Sequence, residues 1–345
     1  MDKPTLADVA KAAGVHRATA SRALNPALVG RISAVTTAKV HEAAERLGYV
    51  PDLLGQGLRT SKTRTIGVLI PDLANPVFAP IVRGIEDHLR EHGYEALLAS
   101  TDNDPHREAT LLDVLRARRC DGFIVASALR DDLVVRHLLD QGLNVVLVNR
   151  LVDGLDAPAV VSDDAIGITA AIQHLFDLGH RVIGHIGGPL DVSVTTTRLE
   201  AYEKALASLG IDAPDAVEHA TGYTVEAGRA ALTRLFQRRP VSAVIAGNDL
   251  LAVGCYVALA EYGLRCPDDV SVVGFNDMPL TAHLFPPLST VTMPQYEMGC
   301  VAAGMILARI NDPDLAPTMM AMPTAFVARA SSGPTKQRTD GNTTD

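Results

Sequence analysis

The sequence predicts an α/β protein: a small all-helical head followed by a doubly wound body of two subdomains. Three observations carry this. The first fifty residues show helical spacing broken by a glycine turn, with no strand pattern. From Thr65 onward, nearly continuous apolar runs (IGVLI, EALLA, GFIVA, VVLVN) alternate with helical stretches, as a parallel sheet covered on both faces requires. The same alternation then starts again with RVIGHIG, SAVIAG and DVSVVGF, so two such layers are expected with a cleft between them.

In the head, Thr5 is placed to cap a first helix, and Asp8 three residues on completes a capping box. Leu6, Val9, Ala10 and Ala13 line one stripe, Gly14 stops the helix, and Val15 packs in the turn. A second short helix over His16–Leu24 turns Ala20 and Leu24 inward and Arg17, Ala18 and Arg22 outward. A third, Ala34–Leu47, offers Val35, Val40, Ala43, Ala44 and Leu47 to the same core. Helix, glycine turn, short helix and supporting helix make a helix-turn-helix layout, though a plain three-helix bundle with a basic face has the same periodicity.

Charge supports the first reading. Through Lys62 there are nine Lys and Arg against five Asp and Glu, and beyond it 22 against 35, within a net charge of −9. A basic head on an acidic body suits a nucleic-acid contact confined to one end. With 47% apolar and 21% charged residues over 345 positions, the chain is globular. No run approaches the ~20 apolar residues that cross a bilayer, and MDKPTLADVA lacks a cationic lead into an apolar segment. A cytoplasmic protein with no membrane partner is expected. The four cysteines (Cys120, Cys255, Cys266, Cys300) have neither CxxC nor disulfide spacing and read as free thiols.

In the body, helices are expected over Val77–His92, Arg107–Arg118, Ile166–Leu178, Leu199–Leu209, Thr224–Phe236 and Leu250–Tyr262. Catalytic signatures are missing: Gly184-His185-Ile186-Gly187-Gly188 lacks GxGxxG spacing, and there is no GxSxG, HExxH or GxxxxGK[ST]. Neither an enzyme, a cofactor nor a metal is expected, and Thr197, Asp249 and His185 are explicable as sheet-end or surface residues. Ligands in such folds sit at the carboxyl ends of strands. Residues falling there are Asp72, Asn75 and Phe78 after the first strand, Asn149 and Arg150 after VVLV, the VSVTTTR segment, Tyr223, Asn248, Asp249, Asn276 and Asp277. For Asn248 and Asp249, strand-end capping is an equally good reading.

The stretch TLADVAKAAGVHRATASRALN, then HEAAERLGYVP and IGVLIPDLANPVF, resembles the lactose-repressor (LacI/GalR) family, and the resemblance runs from Thr5 to about Arg329. It implies a transcriptional regulator, commonly a repressor, with a periplasmic-binding-protein-like body that binds a small-molecule effector. It divides the chain into a DNA-binding head (1–50), a hinge (51–62), an effector-binding and dimerisation body (63–330) and a tail (331–345). The resemblance assigns base contacts to Arg17, Ala18 and Arg22, and positioning contacts to Thr5, Thr19, Ser21 and Asn25. A guanidinium such as that of Arg22 matches guanine O6 and N7 in two prongs. It also implies that the hinge folds on DNA and wedges Leu58 into the minor groove. Gly55 and Gly57 depart from the family there and predict a hinge unfolded off DNA.

Effector contacts map by resemblance onto Phe78, Asn149, Arg150, Val192, Val194, Arg198, Tyr223 and Asn276. Val192, Val194 and Asn276 stand where sugar- and purine-binding relatives often carry polar or acidic side chains, and Arg150 adds positive charge. These departures tilt the ligand from a neutral sugar toward a small acid or partly apolar compound. The resemblance adds that the segment from Pro294 returns to the first subdomain and that a last strand near Phe326–Val327 reaches the second. The tail SSGPTKQRTDGNTTD has no apolar anchor and reads as flexible. Without a leucine-rich end helix, a homodimer is expected, using surfaces such as Val77–Leu89 and Leu250–Tyr262 and reading near-palindromic operator DNA. Two other readings fit the same chain: a solute-binding protein, and a DNA-binding regulator whose cleft serves protein contacts only.

Overall fold

The computed structural model describes residues 4–24, 31–49, 62–212 and 215–335. The chain folds as two compact units, Met1–Thr63 and Arg64–Asp345. The head has three helices, α1 (Leu6–Ala12), α2 (Arg17–Ala23) and α3 (Ala34–Leu47). The capping box forms as its sequence requires. The Asp8 amide donates to Thr5 Oγ1 at 3.4 Å, and the Thr5 amide donates back to Asp8 Oδ2 at 2.8 Å. These bonds hold the Asp8 carboxyl below its usual range.

Gly14 sits at φ +66°, where a side chain is strained, and Gly48 ends α3 at φ +64°. Val9, Ala10, Ala20, Ala23, Val40, Ala43 and Ala44 make the small core. Two expectations fail here: Val35 is 68% and Leu47 37% exposed. Val35 stands five residues before Val40, about 140° around the helix at 100° per residue, so it faces away from the core. Leu47 lies in the fraying last turn. Of the expected hinge over 51–62, residues 51–61, Leu58 among them, lie outside the described residues, as does Asn25.

The body is two six-stranded sheets. The first runs β2 (Glu95–Ser100), β1 (Thr65–Ile70), β3 (Gly122–Val125), β4 (Val145–Val148), β5 (Ala159–Asp163) and β11 (Met319–Pro323), all parallel. The second runs β7 (Val217–His219), β6 (Ile183–Gly187), β8 (Ala243–Ala246), β9 (Ser271–Asn276), β10 (Ser289–Thr292) and β12 (Ala325–Val327). Only its last pair, β10 with β12, is antiparallel. Both have the doubly wound order that opens a crevice at the strand ends.

Helices α4 (Phe78–Glu91), α5 (Pro105–Ala117) and α6 (Leu133–Asp140) belong to the first lobe. Helices α7 (Asp164–Asp177), α8 (Ser193–Ser208), α9 (Val225–Arg238) and α10 (Asp249–Glu261) belong to the second. Helix α11 (Gln295–Asn311) returns to the first lobe, packing on α4 and on β3, β4 and β5. The contact with α4 is close: a Cβ on Gly84 would lie 2.0 Å from the Tyr296 carbonyl oxygen, and one on Gly299 2.0 Å from that of Ile81. The chain therefore passes between lobes three times, after β5, after β10 and after β11. The returns at Pro294 and Phe326 are as the resemblance implied; the exposed edge strand β11 was not foreseen.

Helix α8 begins at Ser193 rather than Leu199, because the Ser, Val and Thr run that depresses local helix propensity is held by packing. The tail is the larger correction. Ser331 is fully buried; its hydroxyl donates to the Val272 carbonyl at 2.6 Å and accepts from the Ser289 amide at 2.7 Å. Gly333 donates to Ser271 Oγ, and the Thr335 amide donates to the Leu178 carbonyl. Residues 331–335 are thus stitched to the second lobe by hydrogen bonds, which an apolar-anchor criterion does not detect. Residues 336–345 lie outside the described set.

Candidate functional site

On the head, α2 presents its early residues outward. Arg17, Ala18 and Arg22 are exposed, while Thr19 and Ser21 are half-buried. His16 caps α2, its Nδ1 accepting from the Ala18 amide at 3.3 Å. Ala18 and Arg22, four apart, lie on one face of this seven-residue helix, and Arg17 stands beside Ala18 at its start. Thr5 is exposed, but its hydroxyl is committed to Asp8, donating to Oδ2 at 2.7 Å.

In the body, the carboxyl ends of the two sheets enclose a cleft of about 300 Å³, open mouth included, lined by Asn75, Val77, Phe78, Asn149, Arg150, Val194, Arg198, Tyr223, Asn248 and Asn276. Nine of these stand among the residues read from the sequence; Val77 was missed, being an apolar neighbour with no chemical signal. The rim is bridged between lobes. The Leu151 amide donates to Ser193 Oγ at 2.8 Å, the Arg130 amide to the Asp191 carbonyl at 2.8 Å, and Arg130 Nη1 to the Leu190 carbonyl at 3.3 Å.

Several polar groups are held by unusual backbone. Asn149 (φ +68°) and Asn276 (φ +111°) both have positive φ at strand ends, and Asn103 (φ +57°) has it in the turn before α5. Asn tolerates such positions better than branched side chains, and this kind of strain concentrates at functional sites. Asn75 uses Oδ1 to close its own turn, accepting from Val77 N at 3.3 Å. Asn248 both caps α10, accepting from Leu251 N at 2.9 Å, and lines the cleft. Tyr223 hydrogen-bonds Thr195 Oγ1 at 2.8 Å and lies over Gly188, where a Cβ would meet its ring at 2.3 Å.

The two cleft arginines differ in kind. Arg198 is buried and already neutralised: Nε donates to Asp164 Oδ2 at 2.9 Å, Nη1 donates to the Gly247 carbonyl, and the guanidinium stacks 3.6 Å over Phe275. Arg150 is equally buried but has no carboxylate in ion-pair range among the described residues. Its Nη1 donates to Asn103 Oδ1 at 3.0 Å and to the Ser127 carbonyl at 3.1 Å, and its Nε is shut from solvent with no partner. Burial pushes the proton affinity of this guanidinium down.

Four expected ligand residues do not line the cleft. Asp72 closes a turn by accepting from Ala74 N at 2.7 Å. Val192 is buried at the cap position of α8. Asp249 is wholly buried, accepting from the Met278 amide at 2.8 Å and Thr290 Oγ1 at 2.6 Å, so the structural reading holds for it. Burial raises its carboxyl to about 7. Asp277 pairs with Arg329 at 2.8 Å and accepts from Thr281 Oγ1. His185 is no surface residue either: it lies in the core of β6, donating Nδ1–H to the Ile245 carbonyl, and burial lowers its pKa to about 3, so it is neutral.

Comparison with known proteins agrees with this architecture. A profile described as "Bacterial regulatory proteins, lacI family" matches residues 5–52, and one described as "Periplasmic binding protein-like domain" matches 172–332. The ribose operon repressor of Escherichia coli (strain K12) is 32% identical over 332 residues, covering 95% of this chain and 99% of that protein. A crystal structure of the lac repressor dimer bound to operator and the anti-inducer ONPF superposes with a TM-score of 0.85 at 25% identity, covering 96% and 100%. A transcriptional regulator CelR–cellobiose complex gives 0.74 at 31% identity, covering 95% and 100%.

Proposed function

Because the chain belongs to the LacI family of bacterial regulatory proteins, and is a sequence-specific DNA-binding transcription regulator with an effector-binding body rather than an enzyme, we propose that it is a repressor gated by a small hydroxylated molecule held between its lobes. The observation that carries this reading is the cleft itself: amides from both lobes, Asn75 and Asn149 facing Asn248 and Asn276, with Phe78 and Val194 as apolar walls. Such a donor–acceptor set suits hydroxyl-bearing ligands. The relatives named above as a ribose operon repressor and a cellobiose complex point the same way.

In this reading Arg17, Ala18 and Arg22 contact base edges, Thr5, Thr19 and Ser21 fix the head on the backbone, and two copies read a near-palindromic operator in the cytoplasm. No helix among the described residues is long and apolar enough to cross a membrane. Leu280 and Phe285, 71% and 99% exposed on the loop after β9, supply apolar surface for a homodimer. Effector and DNA are coupled reciprocally: whatever factor the effector imposes on operator affinity, the operator imposes on effector affinity.

The test is fluorescence anisotropy of the full-length protein on DNA upstream of its own gene, at fixed salt because phosphate contacts make affinity steeply salt-dependent. Sugars and sugar acids are added singly. Tight binding weakened by one compound supports an inducible repressor. Tight binding that no compound alters removes the cleft from the mechanism, and absence of binding to any selected palindrome removes the regulator's operator.

A further inference from the structure

Beneath the cleft in the first lobe lies a polar cluster that the effector reading leaves unused. Glu108, in the first turn of α5, is buried, and its Oε1 accepts from Ser127 Oγ. The carbonyl of the same Ser127 accepts from Arg150 Nη1 at 3.1 Å. One residue thus joins a buried carboxyl to the cleft arginine. Asp132 is the third member. It is buried and caps α6, accepting from Val134 N at 3.0 Å and Val135 N at 2.9 Å, and its negative charge faces Glu108.

Of the elements packed against α5, β1 carries no titratable side chain, β2 only Glu95, exposed at its start, and α6 carries Arg136, which donates to the Asp153 carbonyl, with His137 and Asp140 exposed. Glu108 is therefore answerable to Asp132, Ser127 and Arg150. Burial first, and the Asp132 charge second, push its carboxyl up to about 7, against the lowering effect of Arg150.

Charge then decides what the cleft can hold. Arg198 is balanced by Asp164 at 2.9 Å. Arg150 has no paired carboxylate among the described residues; the carboxylates that bear on it from farther off are Asp191 and, after it, Glu108. Its Nη1 corner is taken by Asn103 and Ser127, and its Nε donor is unmet. The side-on edge of a guanidinium, Nε with Nη2, matches the two oxygens of a carboxylate.

Resting on the reading of this cleft as the effector site, we propose that the effector is a small organic acid whose carboxylate seats on the Nε edge of Arg150, and that Glu108 takes up a proton from solvent as it binds. The acid supplies the paired counter-charge that Arg150 lacks, and an ionised Glu108, joined to the same site through Ser127, opposes the incoming negative charge until it is protonated. Affinity for the acid accordingly falls as pH rises and Glu108 ionises, whereas a neutral sugar held by the amides alone shows no such dependence. The regulator senses the acid and the proton together.

Formate, the smallest carboxylate, tests this without assuming the rest of the effector. The full-length protein, labelled with 15N-arginine, is titrated with sodium formate at pH 6 and pH 8. The Arg150 Nε–H resonance, assigned by its loss in Arg150→Lys, is followed. With Glu108 ionising near pH 7 in the free protein and taking up its proton on binding, the formate midpoint is higher at pH 8 than at pH 6, by at most about tenfold. Glu108→Gln abolishes that difference. Should that variant not fold, Ser127→Ala serves: removing the hydroxyl that stabilises the ionised carboxyl keeps Glu108 protonated to higher pH and narrows the gap. An Arg150 signal unmoved by formate, equal midpoints at the two pH values, or a gap that persists unchanged in both variants overturns the proposal. If formate seats on Arg150 as described while no compound alters operator binding, the effector reading fails and what stands is a proton-coupled carboxylate site at Arg150. If a sugar gates operator binding while Arg150 ignores formate, the reverse holds.

Discussion

Asp164→Ala is the perturbation whose cost the structure sets most directly. Asp164 opens α7, just after the chain first leaves the first sheet, and its side chain is 2% exposed; that of Arg198, on α8, is 4% exposed. Deleting the carboxylate leaves a buried guanidinium with one carbonyl acceptor and an aromatic face, and removes the acceptor of the Ser162 hydroxyl. Removing one partner of a buried ion pair costs about 3–5 kcal/mol, since the remaining charge stays desolvated. Replacing both partners by apolar residues of similar size, Asp164→Leu with Arg198→Met, costs far less, because nothing charged is left behind. The assay is urea unfolding of the full-length protein by far-UV circular dichroism and tyrosine fluorescence, the chain having seven Tyr and no Trp. A single Asp164→Ala cost below about 1 kcal/mol, or a double variant less stable than either single one, refutes the argument that desolvation governs this pair.

Other outcomes are equally specific. Arg22→Ala loses about 1–3 kcal/mol of discrimination at one base pair of each half-site, read by anisotropy on a substituted operator set; a uniform loss across all sequences makes Arg22 a phosphate contact instead. Gly84→Ala drives a Cβ to 2.0 Å from the Tyr296 carbonyl oxygen and destabilises the first lobe by about 1–3 kcal/mol in urea unfolding, with Arg83→Ala as the control on the exposed side of the same helix. Glu108 gives a pH dependence of stability. Between its ordinary 4.5 and about 7 the folded state holds a proton that the unfolded chain has released, so stability drops as pH rises, by at most about 1.4 kcal/mol per unit. Urea midpoints measured from pH 5 to pH 8 should lose that slope in Glu108→Gln.

The sheets were legible because buried parallel strands write themselves as continuous apolar runs, and the cleft followed because strand ends in such sheets converge. What the residues alone did not show was which polar strand-end residue looks into the cleft and which looks back into the protein. Asn248 and Asp249 are adjacent and chemically alike; a helix start turns one toward the ligand space and the other toward Met278 and Thr290. Arg150 and Arg198 carry the same charge in the sequence, and only the fold shows that Asp164, thirty-four positions away from Arg198, takes that one. Glu108 and Ser127 gave no signal at all. A lone Glu in a helix is ordinarily solvated, and only the third dimension puts it under an arginine. The end of the chain misled for a different reason: Ser and Gly lack apolar surface, yet they add hydrogen bonds where a sheet has carbonyls to satisfy.

The three passages of the chain between the lobes also bear on its synthesis. The first lobe is begun at Thr65, but α11 and β11 emerge only after all of the second lobe except β12 and residues 331–335 has been made. At typical translation speeds of about 5–20 residues per second, the stretch from Asp163 to Met319 takes roughly ten to thirty seconds. Throughout that interval Ile81 and Ile85 on α4 lack the Met298, Ala302 and Ala303 of the helix that finally covers them. The lobe that starts first waits longest for its closure. A nascent chain cut short at Met293 would keep its second lobe nearly whole and lose the closure of its first, so the earliest-made part of the body is the one that a premature stop leaves open to aggregation.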